Sequence, residues 1–290
     1  MDLDRYLERI GFRGDLKPTP DTLGALVRAH VCSVPFENID VQLGNPLTIE
    51  PAAAYEKIVE RRRGGWCYEH NGLFGWALSE IGFDVTRVAA AVMRHERGEI
   101  ADANHLCLLV EIDGADELLL ADVGFGGSLL EPLPLKPGYY VQLPFHVGLR
   151  KLDDGSWRFL EDIGKGEFSF DFKAEPANES ALESKCDYLQ TDPSSGFVMN
   201  LVVQQRLPEA HKTLRGRVFS VATNNGIETG FLETADALAA HLRDHFDLGD
   251  VDAHKLWPRV AARHEALMAG KSSTDTYEIR SRSHDKPLRD

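Results

Sequence analysis

Residues 61 to 78 read RRRGGWCYEHNGLFGWAL. Two glycines precede a single thiol, and after it apolar residues recur at helical spacing: Leu73, Phe74, Ala77, Leu78 and Ile81, with Gly82 as a stop. The pattern predicts a helix that follows Cys67. The first turn of a helix aims amide donors and partial positive charge at whatever lies there, which lowers a thiol pKa and enriches thiolate. Gly64-Gly65 permits a tight turn and leaves room for a ligand. The competing reading of Cys67 is a small buried hydrophobe, the common fate of a free cysteine. Cys32, Cys107 and Cys186 lack this context and take the second reading. No CxxC pair and no zinc-type spacing joins the four thiols, so no metal site is expected. So few cysteines in 290 residues fit a reducing cytoplasm and no disulfide framework.

Working outward, helical periodicity dominates residues 1 to 83. Leu3, Tyr6, Leu7 and Ile10 share one face, Thr19-Pro20 marks a cap and first turn, and Pro51 opens a helix with Tyr55, Ile58 and Val59 inward. From Val85 the period drops to two. Strands are expected at 85–93, 105–112, 117–123, 139–143, 146–152, 156–160 and 168–172, separated by turn signals such as Asp113-Gly114. Repeated short strands predict an antiparallel barrel or rolled sheet. Beyond about residue 190 the pattern is mixed, with strands near 213–222 and helices near 234–246 and 251–268; 271–290 reads as a polar tail.

The 32 Lys and Arg against 46 Asp and Glu give a net charge of −14. Such a surface repels phosphate backbones and argues against a nucleic-acid partner. Arg61 to Arg63 form a local basic spot, either a solvated helix end or a contact for an anionic ligand. No apolar run approaches the roughly 20 residues that span a bilayer, and MDLDRYLERIGF is charged and amphipathic rather than a secretory signal. A membrane partner is not expected.

A thiolate nucleophile needs a base and a group to orient that base. His105 begins the strand HLCLLVEI, and Asp122 lies near the end of the next, ELLLADV. If Asp113-Gly114 is a two-residue hairpin loop, the two residues oppose each other; if the loop is 113–116, they lie diagonally. Either register puts both side chains on one face, whereas a three-residue loop would separate them. A carboxylate on that face would fix the imidazole's tautomer and leave its other nitrogen for the sulfur.

RGGWCYEHN (63–71) resembles the RGGxCxExN pattern of arylamine N-acetyltransferases. The resemblance continues, in the family's order, through VPFENID (34–40), NHLCLLVEIDG (104–114), ADVGFGGS (121–128), YLQTDPSSGF (188–197) and TLRGRVFSV (213–221). It implies an α+β fold with a cysteine-peptidase-like catalytic core. The parts are an N-terminal helical bundle (1–83) carrying the nucleophile, a central antiparallel β-barrel (84–190) carrying the histidine and aspartate, and a C-terminal α/β lid (191–270). It implies a triad of Cys67, His105 and Asp122. It further implies transfer of an acetyl group from acetyl-CoA, through a cysteine thioester, to an arylamine or arylhydrazine. Acetyl-CoA enters as co-substrate and no cofactor stays bound. Phe36, Phe125 and Phe197 match positions lining the acceptor pocket, and Gly126-Gly127 would let a ligand approach the backbone. Glu37 and Arg63 are expected as a buried ion pair bracing the thiol loop, with Glu69 and Asn71 as supports and Trp66 and Tyr68 as packing or pocket wall. The segment between His105 and Asp122 is slightly longer than the family pattern, around Ala115-Asp116.

The alternatives are a related thiol amide synthase, or a cysteine hydrolase or transglutaminase-like enzyme using the same triad. A non-catalytic module whose thiol is buried or redox-sensing would need none of these partners.

Overall fold

The computed structural model describes residues 1–114, 117–127, 129–163 and 166–269. The expected tail at 271–290, and the extra residues Ala115 and Asp116, lie outside the described residues.

The first helix, α1 (Leu3–Ile10), is capped by Asp2, whose carboxylate accepts from the amide of Arg5, and ends at Gly11 in the left-handed region, φ 70°. Next comes α2 (Pro20–Ser33), whose first turn holds Pro20 behind the Thr19 cap. A two-residue strand β1 (Phe36–Glu37), α3 (Ile39–Leu43) and α4 (Pro51–Tyr55) follow. The helix begun at Pro51 widens at Glu56–Glu60 into a π-helical turn. After the glycine pair, α5 (Cys67–Ile81) starts at the thiol and stops at Gly82, φ 104°.

The β region follows: β2 (Asp84–Val92), a short α6 (Arg94–Arg97), β3 (His105–Glu111), β4 (Leu119–Ala121), β5 (Leu133–Pro134), β6 (Gly138–Gln142), β7 (Phe145–Lys151), β8 (Trp157–Asp162) and β9 (Phe168–Phe172). Among the described residues these form one eight-stranded antiparallel sheet, in the order β5-β4-β3-β2-β9-β8-β7-β6, curled into a half-barrel. Then come α7 (Glu179–Thr191), α8 (Gly196–Met199), β10 (Val202–Arg206), β11 (Ala210–Arg215), β12 (Val218–Thr223), β13 (Gly226–Phe231), α9 (Ala235–Phe246) and α10 (Ala253–Met268). The second sheet runs β1-β10-β11-β12-β13.

β3 explains how bundle and sheet join. Leu108 and Val110 pack among the helices with Leu73, Phe74 and Leu78, while Cys107 and Leu109 pack inside the curled sheet with Phe159 and Phe170. Successive strand residues point to opposite faces, so a strand buried on both sides must be almost wholly apolar, as LCLLV is. β1 joins the helical region to the second sheet: Phe36 pairs with Gln204 of β10 and bridges Gly65, just ahead of the thiol.

Candidate active site

The position of Cys67 follows from its loop. The amide of Gly65 donates to Pro35 O (3.3 Å) and that of Glu37 to Gly65 O (2.7 Å). A Cβ on Gly64 would overlap Pro35 O, and one on Gly65 would lie 2.9 Å from Cβ of Glu69. The space beside these glycines therefore holds protein rather than ligand. Their role is close backbone approach.

Beneath the loop lies a buried ionic cluster. Arg63 Nη2 is 2.8 Å from Glu37 Oε1, the expected pair. Lys57 adds contacts that the sequence did not suggest: 2.9 Å to Asp40, 3.0 Å to Glu69 and 3.6 Å to Glu37. The π-helical turn brings Lys57 inward, where it is 2% exposed. Burial pulls its pKa down, but the three carboxylates outweigh burial and raise it. Glu69 Oε2 also accepts from the Trp66 amide (3.1 Å), capping α5 directly before the thiol. The three arginines of the quoted stretch split in role: Arg63 points inward, whereas Arg61 and Arg62 pair loosely with Glu56 and Asp247 at the surface.

His105 Nε2 lies 2.7 Å from Asp122 Oδ2, and both residues are 2% exposed. Leu108 pairs with Ala121 and Val110 with Leu119, which is the register of the longer 113–116 loop, so the pair is diagonal on a shared face. Asp122 Oδ1 accepts from Asn71 Nδ2 and from the Gly124 amide, each at 2.8 Å. Asn71 Nδ2 also donates to Leu106 O (2.6 Å), and Asn71 Oδ1 accepts from the Val123 amide (3.0 Å). One amide side chain on the nucleophile's helix thus ties together the strands that carry His105 and Asp122. Because the carboxylate accepts from Nε2, that nitrogen carries the proton and Nδ1 is left as the basic one.

The neighbours of His105 on either side touch the sulfur: Asn104 O is 4.0 Å from Cys67 Sγ, and the Leu106 amide donates to it. A Cβ on Gly124 would come within 2.8 Å of Cys67 Cα, so the aspartate's turn is pressed against the thiol's backbone. Electrostatically the sulfur differs from expectation. Burial pushes the Cys67 thiol well up, and the amides of Leu106 and Tyr68 draw it only partly back. Desolvation penalises the charged form more than the helix end stabilises it. A thiolate here therefore needs a proton acceptor beside it.

Aromatic rings surround this centre. Phe125 stands edge-on to His105 at 5.2 Å and meets Phe159, Phe168 and Phe170 at 5.7, 5.2 and 4.8 Å. Phe197 packs on Trp66 at 5.5 Å and Phe36 at 6.2 Å. The fold thus gathers Phe36 and Phe197 on the thiol's side and Phe125 on the imidazole's. Gly126 and Gly127, at φ 88° and 100°, lie against β10; a Cβ on Gly126 would overlap the Gln204 amide, and one on Gly127 would lie 2.8 Å from Arg206 Cβ. The Tyr68 hydroxyl donates to Ala103 O at 2.6 Å, bracing the approach to β3.

A second buried network was not anticipated. His70 Nε2 lies 3.2 Å from Pro35 O, His70 Nδ1 is 2.8 Å from His30 Nε2, and His30 Nδ1 is 2.7 Å from the Tyr6 hydroxyl. A carbonyl only accepts, so every proton in the chain is assigned: Tyr6 donates to His30, His30 to His70, and His70 to Pro35. Burial lowers both imidazoles, His70 to about 4. The only sequence signal was the position of His70 three residues past Cys67.

A family model described as N-acetyltransferase matches residues 19–255. An arylamine N-acetyltransferase of Mycolicibacterium smegmatis is 39% identical over 269 residues, covering 90% of this chain and 98% of the relative. Among solved structures, the arylamine N-acetyltransferase of Mycobacterium marinum superposes with a TM-score of 0.83 at 32% identity, covering 89% of this chain and 98% of that one. The same protein in complex with CoA superposes with a TM-score of 0.82 at 32% identity, again covering 89% and 98%. Motif order, fold and near-complete coverage agree, and the chain belongs to the arylamine N-acetyltransferase family.

Proposed function

We propose that the chain transfers an acetyl group from acetyl-CoA to an arylamine or arylhydrazine through a thioester on Cys67, with His105 as base and Asp122 as its orienting carboxylate. The observation that carries the reading is the buried 2.7 Å contact between His105 Nε2 and Asp122 Oδ2, formed where the residues flanking His105 contact the sulfur. The M. marinum relative's complex with CoA supports the donor.

In the first half-reaction His105 Nδ1 takes the thiol proton, and the resulting imidazolium offsets the desolvation that opposes a lone thiolate. Sulfur attacks the thioester carbonyl; the tetrahedral oxyanion collapses, the CoA sulfur leaves, and it takes the proton back from His105. One thioester is exchanged for another, so bond type is conserved. In the second half-reaction the amine attacks acetyl-Cys67, His105 removes a proton from the nitrogen, and the amide leaves with the thiol restored. Amides at the start of α5, that of Cys67 first, suit the oxyanion.

Phe36, Phe125 and Phe197 are the walls for a flat aromatic acceptor, whereas the space a side chain would take at Gly126 and Gly127 holds Gln204 and Arg206, so these glycines serve the approach of β10 rather than of a ligand. Acetylation of foreign aromatic amines inside the cytoplasm is the physiological setting this chemistry suits. Among the described residues, no helix is long and apolar enough to cross a membrane.

Intact-protein mass spectrometry after incubation with acetyl-CoA tests the reading. One acetyl group is expected, mapping to Cys67, and it should vanish when an aromatic amine is added. An unmodified Cys67, or undiminished amine acetylation by Cys67→Ala, would refute it.

A further inference from the structure

A cavity of about 320 Å³ lies away from the thiol, between the β11–β12 turn, residues 199–201 and the second half of α10. Four arginines line it, Arg215, Arg217, Arg259 and Arg263, and among the described residues no carboxylate does. The chain as a whole has 46 acidic residues against 32 basic ones, so carboxylate partners are plentiful elsewhere. None of these four arginines forms an ion pair among the described residues.

Their hydrogen bonds go instead to neutral acceptors. Arg259 donates to Val198 O (2.5 Å) and Gln42 O (3.4 Å), and Arg263 Nε donates to Asn200 Oδ1 (3.1 Å). Arg217 Nε donates to Leu232 O (2.8 Å), while its guanidinium lies 4.2 Å from the ring of Phe231 and 5.1 Å from that of Trp257. These contacts orient the guanidinium planes without neutralising them. Among the described residues, no hydrogen bond occupies the Nη groups of Arg217 and Arg263 or the Arg215 head. His264 completes the wall; burial, then the charge of Arg217, lowers its pKa, so it adds no further positive charge at neutral pH.

Like charges gathered on one concave wall repel each other, and a bound anion of two or more charges would relieve that repulsion while filling the paired donors of several forks. We propose that this cavity binds a phosphate-bearing small molecule of the diphosphate or nucleotide class. None of Cys67, His105 or Asp122 lines it. It is nevertheless coupled to the thiol pocket, because Arg259 and Arg263 grip residues on the C-terminal side of Phe197, whose ring packs against Trp66. Two sources carry the shared chemistry: the phosphates of the acyl-donor coenzyme, an assignment that rests on the function proposed above, or a separate phosphorylated molecule.

Calorimetric titration of the full chain with inorganic pyrophosphate, at fixed ionic strength, tests the site. Saturable binding at one site is expected, weakened about tenfold in Arg215→Gln and again in the Arg215→Gln/Arg263→Gln pair, roughly one charge-assisted hydrogen bond each. Circular dichroism and the melting midpoint should be unchanged. Steady-state kinetics separates the sources. A matching rise in KM for acetyl-CoA in the single variant Arg215→Gln, whose side chain does not hold the Phe197 segment, with turnover of the phosphate-free donor p-nitrophenyl acetate intact, assigns the coenzyme. Pyrophosphate binding with an unchanged KM assigns a separate ligand. No saturable binding, or equal binding by the paired variant, overturns the proposal. Failure of p-nitrophenyl acetate to acetylate wild-type Cys67 would instead refute the acyl-transfer reading and leave the anion site standing.

Discussion

Replacing one oxygen of Asp122 by an amide isolates what that residue contributes. In Asp122→Asn the retained oxygen still accepts from Asn71 and the Gly124 amide, which turns the new NH2 toward His105 Nε2. Nε2 must then accept, the imidazole proton moves to Nδ1, and the nitrogen needed as base is blocked. A loss of about 10³–10⁴-fold in acetyl transfer is expected, with the fold intact by circular dichroism. His70 offers a pH test. Its pKa falls from 6.5 to about 4 in the fold, so the unfolded chain binds a proton that the native one refuses. The stability held above pH 6.5 is therefore lost progressively as pH falls toward 4, on the order of 3 kcal/mol from this group. Urea midpoints at pH 7.5 and 4.5 should show that slope, flattened in His70→Gln. A slope unchanged by the substitution would mean that other groups set it. Lys57→Met would leave Glu37, Asp40 and Glu69 facing one another without their shared cation, and about 3–5 kcal/mol should be lost in denaturant titration.

At the scale of elements, the loop before α5 is the sensitive joint. Gly64→Ala drives a methyl into Pro35 O, an atom fixed on one side by the Gly65 amide and on the other by His70. A cost of about 1–3 kcal/mol is expected, with acetylation of Cys67 slowed disproportionately because the displaced atoms lead directly to the sulfur. Single-turnover kinetics with acetyl-CoA would report it. The helix behind the thiol and the strand β3 were legible in sequence, since helical spacing up to a glycine stop marks the first and a short apolar run ending at a turn signal marks the second. Parity put His105 and Asp122 on one face for either even-length loop but not for a three-residue one, and the structure selected the longer even loop's register. Other elements were less visible. α7 lies where no element was expected, although Leu182, Cys186 and Leu189 keep helical spacing behind the Asn178 cap. The polar residues between them masked that period. Lys57 was illegible because a lysine inside EKIVE reads as solvated; only the three carboxylates, brought from 37, 40 and 69 by tertiary folding, give it a reason to turn inward.

For the whole molecule, the cores are shared across the regions that the sequence delineates. Leu108, Val110 and Ile112 belong to the helical core, and Phe36 and Trp66 pack with Leu182 and Leu189 of α7. A fragment of residues 1–83 made alone would expose that shared apolar face and leave Phe36 and Glu37 without β10. It should lack a cooperative melt and bind a hydrophobic dye such as ANS, whereas the full chain should melt cooperatively. The charge of −14 spread over the chain coexists with a cationic cavity at α10, a contrast that net charge alone concealed.

The pairing of Phe36 with Gln204 also carries a consequence for biosynthesis. The strand that seats the thiol loop cannot form until residues near 204 have left the ribosome, nearly 140 positions after the sulfur itself. At the usual 5–20 residues per second the nascent thiol waits for roughly 7–30 s in an unsheltered polypeptide. Its protection from oxidants and stray electrophiles is thus acquired late in translation, and during that interval it is an ordinary exposed cysteine that depends on the surrounding reductants.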